Sequence, residues 1–87
     1  MPDDAWVYML RCADGSLYTG WSTDVERRLR RHNAGVASRY TASRLPVALV
    51  YRAVMADRTA ARREEARIKR LDRRAKLALI AADPRPG

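Results

Sequence analysis

The chain opens on a dense run of apolar and aromatic positions, and its pattern then changes period twice. Residues 5–12 (Ala-Trp-Val-Tyr-Met-Leu-Arg-Cys) are rich in strand formers and predict a first strand. Asp14-Gly15 marks a turn, and residues 16–21 (Ser-Leu-Tyr-Thr-Gly-Trp) read as the returning strand of a β-hairpin. Gly20 inside that strand signals a bulge or the close approach of another group to the backbone. Thr23-Asp24-Val25-Glu26 then fits a capping box, with Thr23 as cap and Glu26 reaching back. It predicts a helix over 24–33, anchored by Val25 and Leu29 and stopped by Gly35.

Residues 34–46 are polar and predict an irregular loop closed by Pro46, and residues 47–54 predict a third, largely buried strand. Asp57 is placed to cap a second helix running to about Leu71. Asp72 does the same for a short helix over 73–81, with Ala75, Leu79 and Ile80 facing inward. Residues 83–87 (Asp-Pro-Arg-Pro-Gly) predict a flexible tail with no means of packing. The order β-β-α-β-α-α predicts an α+β fold, a three-stranded antiparallel sheet flanked by helices. It fits one domain over residues 1–87 with a core from about 5 to 81.

Charge narrows the choice of partner. The 87 residues carry a net charge of +8 with a pI near 10.8, which favours polyanions and nucleic acid first. Sixteen of the eighteen basic residues are Arg, the side chain that grips phosphate with two parallel hydrogen bonds. The bland alternative is a set of solvated basic helix faces. Cys12 is the single cysteine, so an intrachain disulfide or a cysteine-rich zinc site is excluded, and a small core residue at a strand end is expected. No apolar run reaches membrane-spanning length, and the acidic start Met-Pro-Asp-Asp lacks a signal-peptide core, so a soluble cytoplasmic protein is expected.

Five residues carry candidate chemistry. Arg28 and His32 lie four apart on one helix face, beside the Val25/Leu29 stripe at the border of core and solvent. A neighbouring solvated face is the alternative, since Arg27, Arg28, Arg30 and Arg31 cannot all reach one site. Glu65 falls in the apolar stripe of Ala61, Ile68 and Leu71, where a carboxylate is costly unless paired or bound to a metal. Lys69 is its alternative partner, and Glu64 is expected to angle toward solvent. Tyr8 and Tyr18 occupy opposite faces of the sheet if the hairpin loop has two residues. They share one face if the loop is Ala13-Asp14-Gly15 with Gly15 forming a bulge, and both registers are open. Two phenols, a guanidinium, an imidazole and an acid are what metal-assisted phosphodiester cleavage needs.

Val7-Tyr8, Tyr18-Thr19-Gly20, Arg28-x3-His32-Asn33-x-Gly35, Tyr40-Thr41, Pro46, Leu49-Val50-Tyr51 and Ala61-x3-Glu65-x3-Lys69 follow one another in an order that resembles the GIY-YIG nuclease superfamily. The nearest resemblance is to its small stand-alone bacterial members, and it spans about residues 5–80. It implies a metal-dependent DNA endonuclease that uses one divalent ion, Mg²⁺ or Mn²⁺, with a role in DNA repair or processing. Position by position, the catalytic residues implied are Tyr8, Tyr18, Arg28 and His32, with Glu65 as the metal ligand. Gly20, Asn33, Arg27, Arg31, Tyr40 and Lys69 are expected to border the substrate. That substrate is DNA, in branched, flap or single-stranded form, and a protein partner is one source of specificity. Trp6 replaces the first motif's glycine, Thr19 replaces the second motif's isoleucine, and Trp21 stands where some branches carry lysine. A non-catalytic nucleic-acid-binding module on the same fold is the alternative function.

Overall fold

A computed structural model describes residues 4–82, so the tail expected at 83–87 lies outside the described residues. The elements are β1 (Ala5–Arg11), β2 (Leu17–Ser22), α1 (Val25–Asn33), α2 (Arg39–Ala42), β3 (Ala48–Met55), α3 (Arg58–Lys69) and α4 (Arg73–Ala82). The strands form an antiparallel sheet in the order β2-β1-β3. β1 is central and apolar on both faces, which is why its sequence lacks a polar alternation. Tyr8 and Leu10 pack on one face with Cys12, Val25 and Val47. Val7 and Met9 pack on the other with Ile68, joined by Leu79 and Ile80.

The hairpin takes the bulged register. Cys12 N–H donates to Ser16 C=O at 2.9 Å, Gly15 N–H donates to Cys12 C=O at 2.9 Å, and Gly15 has φ +86°. A side chain rarely adopts that φ, so the Gly after Asp14 selects the three-residue loop. Tyr8 therefore pairs with Gly20 and Leu10 with Tyr18, and both tyrosines face α1. The turn is also anchored from outside, by Arg44 Nε donating to Asp14 Oδ2 at 3.1 Å and Ala13 N–H donating to Arg44 C=O at 2.9 Å.

Four sequence expectations change. The cap of α1 is Asp24, not Thr23, and its carboxylate accepts from Arg27 N–H at 3.0 Å. A full negative charge serves the positive helix end better than a hydroxyl. Glu26 consequently does not reach back; it pairs with Arg52, whose guanidinium lies 4.3 Å over the Trp6 ring. The loop over 34–46 contains α2, because Ser38 Oγ accepts from Thr41 N–H and caps one short turn. β3 is half-buried rather than largely buried, with Val54 53% exposed, because an edge strand has a neighbour on one side only.

The remaining ends behave as read. Gly35 stops α1 with φ +80°, donating to His32 C=O while Val36 N–H donates to Arg31 C=O. Asp57 and Asp72 cap α3 and α4, each accepting from a backbone N–H at 2.8 Å. Ala61 is fully buried, so the α3 backbone can approach the sheet closely. Among the described residues no helix is long and apolar enough to cross a membrane.

Thr19 lies in the layer under α3, its Oγ1 buried without a hydrogen-bond partner. An orphaned hydroxyl there costs more than an apolar group of the same shape. Thr19→Val is expected to raise stability by about 1 kcal/mol, measured by urea denaturation. On the opposite face, a Cβ at Gly20 would lie 2.6 Å from Tyr8 Oη. Gly20→Ala is expected to lower stability by about 1–3 kcal/mol in the same experiment, the usual scale of overpacking.

Candidate active site

The site is built around the hydroxyl of Tyr8. Because Gly20 sits across the strand pair without a side chain, the phenol leans over β2 and comes to rest above the Gly20 backbone. There Tyr8 Oη lies 2.9 Å from His32 Nε2. His32 Nδ1 in turn lies 2.8 Å from Thr41 Oγ1 on α2. The Tyr18 ring meets His32 edge-on at 5.1 Å between centroids and stacks on Tyr40 at 6.0 Å. Arg44 covers the Tyr40 ring at 3.9 Å. Tyr8, His32 and Thr41 are each at most 1% exposed, so this chain of polar groups runs through the core.

His32 was expected at the border of the apolar stripe of α1. It belongs to the stripe itself, following Val25 and Leu29 at helical spacing, and is buried. Arg28, one turn earlier, is exposed. Its positive charge is nevertheless felt at the Tyr8 hydroxyl. Burial raises the Tyr8 phenol well above its ordinary value, and the neighbouring Tyr18 adds to the rise. Arg28 opposes that rise, and the Glu65 carboxylate contributes to it more weakly. Burial and then the Arg28 charge hold the His32 imidazole below its ordinary value of 6.5. Phenol and imidazole are therefore both uncharged at neutral pH.

Glu65 acts on the Tyr8 hydroxyl from the other layer, since α3 packs beneath β1 and β2 while α1 lies above. Its side chain is 21% exposed and pairs with Lys69 Nζ at 3.2 Å. Glu64 is equally sheltered, at 22%, and not angled freely to solvent, because Arg67 clamps both its oxygens at 2.8 and 2.6 Å. Among the described residues no three His, Cys, Asp or Glu side chains gather into a metal cage. One accessible carboxylate suits a hard divalent ion that keeps most of its waters and takes further oxygens from phosphate, as Mg²⁺ does.

The other expected residues divide. Arg27, Arg28 and Arg31 line one cleft of about 300 Å³ with Ser22, Thr23 and Asp24, so three of the α1 arginines do serve a common surface. Asn33 is spent otherwise: its Nδ2 donates to Val47 C=O at 3.0 Å and its Oδ1 accepts from Val47 N–H at 2.8 Å. It ties α1 to the residue that precedes β3, and both ends of its amide are engaged there. Gly20 makes room for Tyr8, Tyr40 supports Tyr18, and Lys69 neutralises Glu65. The sequence names Thr41 only within the Tyr40-Thr41 motif and assigns no role to it, to Ser38 or to Arg44. Their signal was the Ser38-x-x-Thr41 pair, which marks a capped turn inside a segment read as loop.

Comparison with known proteins agrees with this fold. Residues 4–78 match the model of the GIY-YIG catalytic domain. A UPF0213 protein of Streptococcus sanguinis is 49% identical over 80 residues, covering 92% of each chain. A second, from Staphylococcus haemolyticus, is 45% identical over 86% of this chain and 92% of its own. The solution structure of the UPF0213 protein BH0048 from Bacillus halodurans superimposes with a TM-score of 0.61 at 40% identity, covering 95% of this chain and 88% of that one. By the match over residues 4–78 and the identity to these relatives, this chain belongs to the GIY-YIG family of nuclease domains.

Proposed function

We propose that the chain is a divalent-metal-dependent DNA endonuclease acting in DNA repair or processing, with branched, flap or single-stranded DNA as its substrate class. The observation that supports this best is the buried Tyr8 hydroxyl, 2.9 Å from His32 Nε2 and within the field of the Arg28 cation. A merely structural tyrosine needs neither. The role rests on a relay of protons. Water attacks the phosphorus, its proton passes to Tyr8 Oη, and the Tyr8 proton passes to His32 Nε2. The bond from phosphorus to the 3′ oxygen breaks, leaving a 5′ phosphate and, after protonation from solvent, a 3′ hydroxyl.

Arg28 has two effects on this relay. Its guanidinium balances the charge that grows on the phosphoryl oxygens. A phosphate paired with it also cancels the positive field that disfavours a protonated His32, so substrate binding itself prepares the acceptor. Tyr18, edge-on to His32, holds the imidazole ring from the side. Glu65 would hold one Mg²⁺ or Mn²⁺, exchanging its Lys69 partner for the ion, and the ion supplies charge neutralisation at the phosphate and leaving oxygen. The cleft lined by Arg27 and Arg31 extends the positive surface along the DNA backbone.

The test is a cleavage panel of single-stranded, duplex, flap and branched DNA with Mg²⁺ or Mn²⁺. Glu65→Gln is expected to abolish metal-dependent cleavage with little change in DNA affinity. Tyr8→Phe is expected to lower the cleavage rate by about 10²–10⁴-fold at nearly unchanged affinity, the scale of a lost general base. Arg28→Ala should weaken both. If the wild-type protein cleaves nothing in the panel, the binding-module reading replaces this one.

Two further expectations concern conditions. Because the neutral imidazole accepts the proton, cleavage should rise with pH through a value below 6.5 and then level off. Protonation is harder in the fold than in the unfolded chain. His32 therefore contributes stability that is present above pH 6.5 and lost as pH falls through its lower folded value, which thermal melts against pH would follow. DNA affinity should fall steeply as salt is raised, since each Arg–phosphate contact releases a counterion.

A further inference from the structure

Whether His32 offers Nε2 or an N–H to Tyr8 depends on which ring nitrogen carries the proton. A neutral imidazole carries one proton, and the wrong tautomer would present a donor where the relay needs an acceptor. The hydrogen-bond inventory decides between the two. Arg28 can only donate, so it offers the Tyr8 proton no acceptor. Tyr8 has a single proton, and the one acceptor within hydrogen-bond distance of its hydroxyl among the bonds of the described residues is His32 Nε2, at 2.9 Å. The proton of His32 then sits on Nδ1 and must find an acceptor in a place that water does not reach, since His32 is 1% exposed. Thr41 Oγ1 is 2.8 Å away.

Thr41 is itself held for this. It is fully buried, and its backbone N–H donates to Ser38 Oγ at 3.1 Å. Its hydroxyl lies 3.1 Å from Ser38 Oγ and 3.4 Å from Ser38 C=O. A carbonyl can only accept, so the Thr41 hydroxyl has an outlet for its proton and keeps its lone pairs for His32. The short helix α2 thus has a definite use: its Ser38 cap and its last turn present one hydroxyl oxygen to one imidazole nitrogen.

We infer that Thr41 is a positioning residue that holds His32 in the Nδ1–H tautomer, so that Nε2 is the proton acceptor facing Tyr8. The catalytic consequence rests on the nuclease reading; the tautomer does not. Three polar groups are aligned in series. Tyr8 O–H donates to His32 Nε2, His32 Nδ1–H donates to Thr41 Oγ1, and Thr41 O–H donates to Ser38. When the relay runs, His32 becomes doubly protonated, and Thr41 stabilises the cation by accepting from Nδ1–H more strongly than it does from the neutral ring.

The test uses the whole chain and its single histidine, whose two ring nitrogens are the only imidazole signals in a ¹⁵N-edited NMR spectrum. At about pH 8, where the ring is neutral, the wild-type protein is expected to have a protonated Nδ1 and a pyridine-like Nε2. Thr41→Ser keeps the acceptor and should keep that pattern. Thr41→Val removes it at nearly constant shape, and the proton should move to Nε2, where Tyr8 can accept it. On a cleaved DNA substrate, Thr41→Val should lower kcat by about 100-fold with KM little changed, and Thr41→Ser should restore it. A wild-type spectrum with Nε2–H overturns the inference even if Thr41→Val fails to fold. A Thr41→Val protein that keeps Nδ1–H also overturns it. A protein that cleaves no DNA yet has Nδ1–H in the wild type and Nε2–H in Thr41→Val supports the tautomer assignment and overturns only the nuclease reading.

Discussion

The close approach of the Tyr8 phenol to the bare backbone of Gly20 is the constraint on which the rest of the site depends. A side chain from the central strand normally stands over its own strand. With no Cβ opposite, Tyr8 can lie across β2 and carry its hydroxyl toward the edge of the sheet. The α1 residues Arg28 and His32 act on the hydroxyl from one side of the sheet and Glu65 of α3 acts on it from the other. The glycine is therefore chosen for room, and its backbone angles need no special freedom, unlike those of Gly15 and Gly35.

A small domain has little core to give away, and this one gives part of it to polar groups. Tyr8, His32 and Thr41 occupy positions that Phe, Leu and Val could fill without any hydrogen-bonding requirement. The arrangement is tolerable because each polar atom has a partner at 2.8–2.9 Å and because nothing in it is charged at rest. The same burial that raises the phenol and depresses the imidazole keeps the pair neutral. Charge enters only from the rim, through Arg28 and Glu65, which remain accessible enough to exchange water or a lysine partner for a ligand. The proposed site therefore lies at the boundary between a dry, satisfied interior and a wet basic surface.

The basic surface is not uniform. Arg52 is drawn over Trp6 toward Glu26, Arg67 grips Glu64, and Arg44 is drawn to Asp14 and over Tyr40. These pairs are exposed and individually contribute little stability. Their effect is on position: Arg44 secures the hairpin turn against α2, and so holds the helix that carries Thr41. Arg27, Arg28 and Arg31 on α1 share a cleft instead, which makes that helix the side from which a polyanion is met.

The number of strands, the hairpin, the caps at Asp57 and Asp72 and the stop at Gly35 were all legible in the residues, because each depends on a local preference. Turn chemistry, capping and alternation act within a few positions of one another. The order of residues also pointed to Tyr8, Tyr18, Arg28, His32 and Glu65. What it left open was everything that depends on distance through space. The sequence permitted two hairpin registers, the Asp14-Gly15 order suiting the bulged one, and the backbone conformation at Gly15 is that of the register that puts both tyrosines on one face. The burial of His32, the use of Asn33 as a strap to Val47 and the half-exposure of β3 follow from which element lies over which. The link from His32 to Thr41 spans a segment that reads as loop, and no periodicity could announce it. The sequence by itself determined the elements and the chemical groups; tertiary packing decided which of those groups meet, because a hydrogen bond needs two atoms within about 3 Å and that is a property of the folded chain.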